Sequence, residues 1–210
     1  MTQPPARGLY LLTPDEPDSA RLRERVAALL RYCSQVANGS SGATPALRAA
    51  QASMLQALCA AHRVPLVVND DPRLAASVGA AGVHLGAGDA KIATARALLG
   101  EGALIGVSCY DDPARARDAV ALGADYVAFG ALFPSGTKPG ACKADPSLLR
   151  QARMLGVPVV AIGGITPENA AIPIDAGADL LAVVGGVFDA PDPVAAARAL
   201  QACFHAASRR

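Results

Sequence analysis

Three copies of one pattern constrain this chain more than anything else in it. Gly79-Ala80-Ala81-Gly82-Val83-His84-Leu85-Gly86 returns as Gly123-Ala124-Asp125-Tyr126-Val127-Ala128-Phe129-Gly130 and again as Gly177-Ala178-Asp179-Leu180-Leu181-Ala182-Val183-Val184-Gly185. Each copy reads as the end of a helix followed by a buried strand, with glycine at the helix end, where a left-handed residue is wanted, and glycine after the strand. Strands of a second type, opening Val64-Pro65 and Val157-Pro158, fall between the copies, so the repeating unit is two βα units long. Short, continuously apolar runs occupy Gly8–Leu12, 64–68, Gly82–Leu85, 103–107, 125–129, 157–162 and 179–184, with helix-period segments between them. Such runs suit parallel strands buried on both faces. An eighth strand is expected between Arg25 and Leu47. Alternation over two units is the pattern of a closed (β/α)8 barrel of the TIM type with alternating inward layers. An open doubly wound sheet would normally carry a GxGxxG turn after its first strand, and Leu12-Thr13-Pro14-Asp15 has none.

At 210 residues, 52% of them apolar, the chain has material for one sizeable core, and 1–210 is expected to be a single domain. Nineteen Lys and Arg against 18 Asp and Glu leave a formal net charge of +1. No global field therefore favours nucleic acid or an anionic membrane, and an anionic ligand must be held locally. Without a signal-like start or an apolar run approaching membrane length, the expectation is a cytoplasmic protein. The five cysteines are scattered and lack CxxC spacing, and the three histidines are isolated, so neither a disulfide framework nor a zinc cage is expected.

If the strands are placed correctly, their carboxyl ends share one face, the face on which barrels of this type carry their active sites. Thr13, Asn69, Asp70, Asp89, Ser108, the loop Pro134-Ser135-Gly136-Thr137-Lys138, Gly163-Gly164 and Gly185-Gly186 all fall there. Asp70 and Asp89 follow neighbouring strands and suit a hard cation such as Mg²⁺. Equally, each is placed to cap the helix that follows it. Asp71 reads as a capping or solvated residue. Ser135, Thr137 and Lys138 offer hydroxyls and an ammonium to phosphate oxygens, or form a polar surface turn. The double glycines after strands seven and eight suit phosphate binding through backbone N–H groups, or serve only as tight-turn glycines. His84 reads as a packed barrel residue, and Cys109 and Tyr110 as wall residues.

These motifs, in this order and spacing, resemble thiamine-phosphate synthase. The resemblance rests on Leu9-Tyr10-Leu11-Leu12-Thr13, Val68-Asn69-Asp70, Gly82-Val83-His84-Leu85-Gly86 with Asp89, Gly106-Val107-Ser108, Asp125-Tyr126-Val127-Ala128-Phe129-Gly130, Pro134-Ser135-Gly136-Thr137-Lys138 and Ile162-Gly163-Gly164-Ile165-Thr166. It covers residues 8–26 and 47 to about 200. Tautomerase relatives, which lack the threonine-lysine loop and place a histidine where this chain has Ala131, match less well. The resemblance implies a transferase that joins hydroxymethylpyrimidine diphosphate to thiazole phosphate and releases pyrophosphate. It implies Mg²⁺ on Asp70 and Asp89, the pyrimidine diphosphate on Asn69, Ser108 and Lys138, and a further substrate contact from Gln35. The thiazole phosphate would lie on Ser135, Thr137, Gly163, Gly164, Val184 and Gly185, and Lys138 and Ser108 would be catalytic.

The chain departs from the family at strand two, where the family alternates Q-x-R-x-K. Aligned on Leu29-Leu30, those three positions are Arg31, Cys33 and Gln35; aligned on Gln35, they are Gln35, Ala37 and Gly39. Neither register restores both cations, and one such contact made in the transition state is worth about 2–4 kcal/mol. The turn formers Asn38 to Ser41 and the charge of Arg31 predict a short or distorted strand. Two outcomes follow: an active but impaired synthase, or a thiazole-phosphate-binding paralogue with a degraded diphosphate site.

Overall fold

The computed structural model describes residues 7–39, 43–88, 91–134 and 144–207. Eight parallel strands close into a barrel in chain order: β1 (Gly8–Leu12), β2 (Cys33–Asn38), β3 (Leu66–Asn69), β4 (Gly82–Leu85), β5 (Leu104–Tyr110), β6 (Tyr126–Phe129), β7 (Val159–Ile162) and β8 (Leu180–Val183), with β8 pairing back onto β1. This is the (β/α)8 barrel that the repeat implies, and the open-sheet alternative is excluded by the β8–β1 pairing.

The crossovers are α1 (Ser19–Ala27), α2 (Pro45–Ala61), α3 (Pro72–Val78), α4 (Ile92–Leu99), α5 (Pro113–Ala121), α6 (Ser147–Ala152) and α7 (Ala171–Asp175), followed by α8 (Gly185–Phe188) and α9 (Pro193–Ala207). Their starts are chemically marked. Asp18, Asp71 and Asp112 each accept two backbone N–H groups of the following helix, and proline occupies the first turn of α2, α3 and α5. Aspartate satisfies donors that the first turn leaves without partners, and proline has no N–H to lose there. No described helix is long and apolar enough to cross a membrane.

The repeat has a physical cause. Gly79, Gly123 and Gly177 turn the chain at φ of +68°, +94° and +106°, a region costly for residues with a Cβ. In two copies the next element is locked by the aspartate: Asp125 donates its N–H to Ile105 O and accepts the Ile105 N–H, and Asp179 does the same with Val159. In the first copy Ala81 keeps the backbone bond, to Leu66 O, and lacks the carboxylate.

Side chains alternate between two apolar layers. Leu9, Leu11, Val36, Val68, Val83, Ile105, Val127, Val159, Leu181 and Val183 face outward into the helix layer, whereas Tyr10, Ala37, Tyr126, Ala128, Val160, Leu180 and Ala182 fill the barrel interior. Strand β2 is distorted as expected, since its register against β1 slips between Leu9 and Tyr10. It is not short: at six residues it exceeds the four of β3, β4 and β6. Arg31, the misfit in the apolar run, lies before the strand in a 3-10 turn (Leu30–Tyr32), exposed and stacked on the Tyr32 ring. That exit for the charge is what leaves Cys33–Asn38 free to pair.

Candidate active site at the carboxyl ends of the strands

Strand β3 ends in a tight turn that divides its two acids. Asp71 is the N-cap of α3, its carboxylate accepting the Arg73 and Leu74 N–H groups at 3.0 Å. Asp70 is therefore not the cap, and its exposed side chain stands at the mouth with a left-handed backbone, φ +67°. A non-glycine residue in that region is uncommon and persists where its surroundings hold it. Three bonds hold it here: Asp70 N–H to His84 O at 2.8 Å, Asp71 N–H to Asn69 O at 2.8 Å, and Arg48 Nη2 to Asn69 O at 3.2 Å. Arg48 comes from α2 and makes no ion pair among the described residues.

The structure resolves the register of β2. Gln35 pairs with Tyr10 and Ala37 with Leu12, and both enter the interior, whereas Cys33 pairs with Leu9 and packs against the outer core. Of the two alignments, the one through Gln35 and Ala37 is thus the one whose side chains face the interior, and β2 (Cys33–Asn38) itself carries no cation. Gly39 closes against β1. Its N–H donates to Thr13 Oγ1 at 3.0 Å, and a Cβ on it would lie 2.7 Å from Thr13 O and 3.9 Å from Asn69 Nδ2.

Ser108, near the end of β5, is bonded to His84 Nε2 at 2.9 Å, and His84 Nδ1 lies 3.2 Å from the Tyr126 hydroxyl. Tyr126 also meets Tyr10 Oη at 3.1 Å and Gln35 Nε2 at 3.2 Å. His84, read from sequence as a packing residue, is thus a polar link between the mouth and the interior. Neither tyrosine stood out in the sequence, although Gly106 was a usable signal: a Cβ there would run into the Tyr126 ring. Burial pushes the Tyr10 hydroxyl up to about 12 and raises Tyr126 well above its ordinary range, so both phenols keep their protons at neutral pH. Gln35 is fully buried, and its Oε1 has no donor among the described residues. Cys109 is buried as a wall residue, but Tyr110 is not one: it is 46% exposed, at φ +55°, with its ring beside Arg115.

On the far side of the mouth the loops after β6 and β7 run together. Leu132 N–H bonds Ile162 O and Phe133 N–H bonds Gly163 O, each at 3.1 Å. Gly164 turns at φ +62°, and a Cβ on it would collide with Pro134 O. Pro134 thus brings the chain to Gly164 just before the loop bearing Ser135, Thr137 and Lys138. Those three residues and Asp89 lie outside the described residues. After β8, Val184 caps α8, and Gly185 and Gly186 occupy its first turn, where N–H groups have no partner within the helix. Asn69, Asp70, Ser108, Gly163, Gly164, Val184 and Gly185 accordingly share one end of the barrel.

Asp70 has the chemistry for Mg²⁺: a hard carboxylate at the mouth that is not spent as a helix cap. Among the described residues no group of three or more His, Cys, Asp or Glu gathers around a common point.

The family model for thiamine monophosphate synthase matches residues 9–187. The chain is 55% identical over 199 residues to the thiamine-phosphate synthase of Xanthomonas campestris pv. campestris (strain 8004), covering 95% of this chain and 96% of that one. It is 54% identical over 206 residues to that of Azoarcus sp. (strain BH72), with 94% and 97% covered. Among solved structures, a thiamine phosphate pyrophosphorylase from Pyrococcus furiosus superposes with a TM-score of 0.81 at 28% identity, covering 95% of this chain and 96% of that one. A 3-hexulose-6-phosphate synthase at 23% identity and TM-score 0.72 shares the fold. Sequence motifs, barrel and relatives agree, and the chain belongs to the thiamine monophosphate synthase family.

Proposed function

We propose that the protein is a thiamine-phosphate synthase, a transferase of thiamine biosynthesis that joins hydroxymethylpyrimidine diphosphate to thiazole phosphate and releases pyrophosphate. The observation that carries this reading is the convergence of Asn69, Asp70, Ser108, Gly164 and Gly185 on one barrel mouth in a member of this family. It acts as one barrel domain, in the cytoplasm, on small-molecule substrates, without nucleic acid or membrane.

Asp70, with Asp89, would hold Mg²⁺, which when bound neutralises charge gathering on the departing pyrophosphate. Asn69 and Lys138 hold the diphosphate, and Ser108 orients the pyrimidine, supported from beneath by Gln35 through Tyr126 and His84. Gly163, Gly164, Val184 and Gly185 present backbone N–H groups to the thiazole phosphate, joined by Ser135 and Thr137. Charge builds on the leaving group as its bond to the pyrimidine breaks, so Lys138 stabilises the transition state more than the ground state. The test is Mg²⁺-dependent pyrophosphate release from the two substrates, lost in Lys138→Ala. Absence of turnover at high enzyme concentration would refute the reading.

One observation favours a second reading. Ala37 faces the interior, and on the alignment that starts at Gln35 it and Gly39 would stand where the family carries cations, which suits a thiazole-phosphate-binding paralogue. Calorimetry separates the two, since the paralogue binds thiazole phosphate but not the pyrimidine diphosphate tightly.

A further inference from the structure

The polar chain beneath the mouth has a direction, and counting protons gives it. Tyr10 is buried at 3% exposure, and its hydroxyl lies beside both Gln35 and Tyr126. Gln35 Oε1 takes no donor among the described residues, so the acceptor within reach of the Tyr10 proton is the Tyr126 oxygen at 3.1 Å. A buried hydroxyl proton left without an acceptor is costly, so Tyr10 donates to Tyr126. Gln35 Nε2, an obligate donor, also points at the Tyr126 oxygen, at 3.2 Å. Both lone pairs of that oxygen are then occupied, and the Tyr126 proton has one place left to go, His84 Nδ1 at 3.2 Å. A neutral imidazole that accepts at Nδ1 carries its proton on Nε2, and Nε2 faces Ser108 Oγ at 2.9 Å.

We infer that Tyr126 holds His84 as the Nε2–H tautomer and that His84 thereby fixes Ser108 as a hydrogen-bond donor toward the ligand. Ser108 spends a lone pair on His84 and keeps its own proton for the mouth. That proton is available to an acceptor on the ligand, such as a bare ring nitrogen or a phosphoryl oxygen. Tyr126 and His84 are positioning residues, acting through Ser108. Tyr126 is itself placed by Gly106, whose missing Cβ leaves room for the ring, and by stacking on His84 at a centroid distance of 5.6 Å. This deepens the transferase reading and rests on it only for the identity of the ligand.

The tautomer is read directly from long-range ¹H–¹⁵N spectra of ¹⁵N-histidine-labelled protein. With three histidines in the chain, His84→Gln assigns the signal. A pyrrole-type Nε2 and a pyridine-type Nδ1 are expected in the unmodified protein, with the preference lost in Tyr126→Phe. In pyrophosphate-release assays Tyr126→Phe should lower kcat/KM for the pyrimidine diphosphate by about tenfold, the effect of one well-placed hydrogen bond. In the Ser108→Ala background the same substitution should have no further effect. A pyrrole-type Nδ1 in the unmodified protein, or effects of the two substitutions that multiply, overturns the inference. A pyrrole-type Nε2 in a protein without turnover overturns the transferase reading and leaves the tautomer assignment standing.

Discussion

Replacing Gly164 by alanine tests the phosphate cradle, and Gly79 supplies its control. The two glycines have nearly the same backbone, φ +62° and +68°, yet a Cβ at Gly79 meets nothing within 4 Å, whereas at Gly164 it collides with Pro134 O and lies 2.8 Å from Phe133 O. Gly79→Ala therefore isolates the left-handed conformational cost, about 1–2 kcal/mol. For a chain of this size that lowers Tm by about 2–8 °C. Gly164→Ala adds a collision that only movement of the 133–134 segment can relieve, and that segment leads into the loop of Ser135, Thr137 and Lys138. Its Tm should fall further, and thiazole-phosphate affinity should fall with it. Loss of one hydrogen bond to a charged group is worth about 1.5–3 kcal/mol, or about 10–150-fold in Kd. Calorimetric titration with thiazole phosphate, beside thermal unfolding, measures both. If Gly164→Ala matches Gly79→Ala in Tm and binds thiazole phosphate normally, the loop does not lean on Gly164 and the cradle is wrongly placed.

The two acids after β3 should separate cleanly. Asp71→Ala loses a cap worth about 1 kcal/mol with turnover largely kept, whereas Asp70→Asn keeps stability and loses Mg²⁺-supported turnover; denaturant titration and pyrophosphate release distinguish them. Arg48→Met removes one of two donors to Asn69 O, so the Mg²⁺ concentration for half-maximal rate should rise several-fold; an unchanged value refutes the positioning of Asp70 by Arg48. Burial pushes the Cys33 and Cys59 thiols up to about 12 from 9.0, so the unfolded chain ionises first. Their contribution to stability is intact below pH 9 and is lost as pH rises toward 12, which urea midpoints across that window, compared with Cys33→Ala, would register.

The barrel was legible because its signals are local. Apolar runs, turn glycines and capping aspartates act on their own neighbourhoods, and the Asp125 and Asp179 carboxylates repeat because each closes the same corner. The polar network was not legible, because it joins Tyr10, Gln35, His84, Ser108 and Tyr126 across as many as 116 sequence positions. Asp70 and Asp71 were ambiguous for a related reason. Either carboxylate suits a cap, and only the left-handed backbone at Asp70 decides which one reaches α3.

Strand two shows how far register governs function. Sequence alone allowed two alignments, and pairing with β1 turns Gln35 and Ala37 inward and Cys33 outward, with Gly39 against Thr13 at the rim. The consequence for restoring charge is specific. Cys33→Arg would drive a guanidinium into the outer apolar layer, costing stability without reaching the mouth. Gly39→Lys would set its Cβ 2.7 Å from Thr13 O and force the ends of β1 and β2 apart, losing the Gly39–Thr13 bond. Ala37→Arg overpacks the interior by about 1–3 kcal/mol, yet its stem can run along the apolar wall beside Leu12 and Ile162 and carry the charge upward. Of the three, only Ala37→Arg should raise kcat/KM for the pyrimidine diphosphate. A gain from Cys33→Arg instead would mean that β2 pairs in the other register, and with it the inward placement of Gln35 would fall.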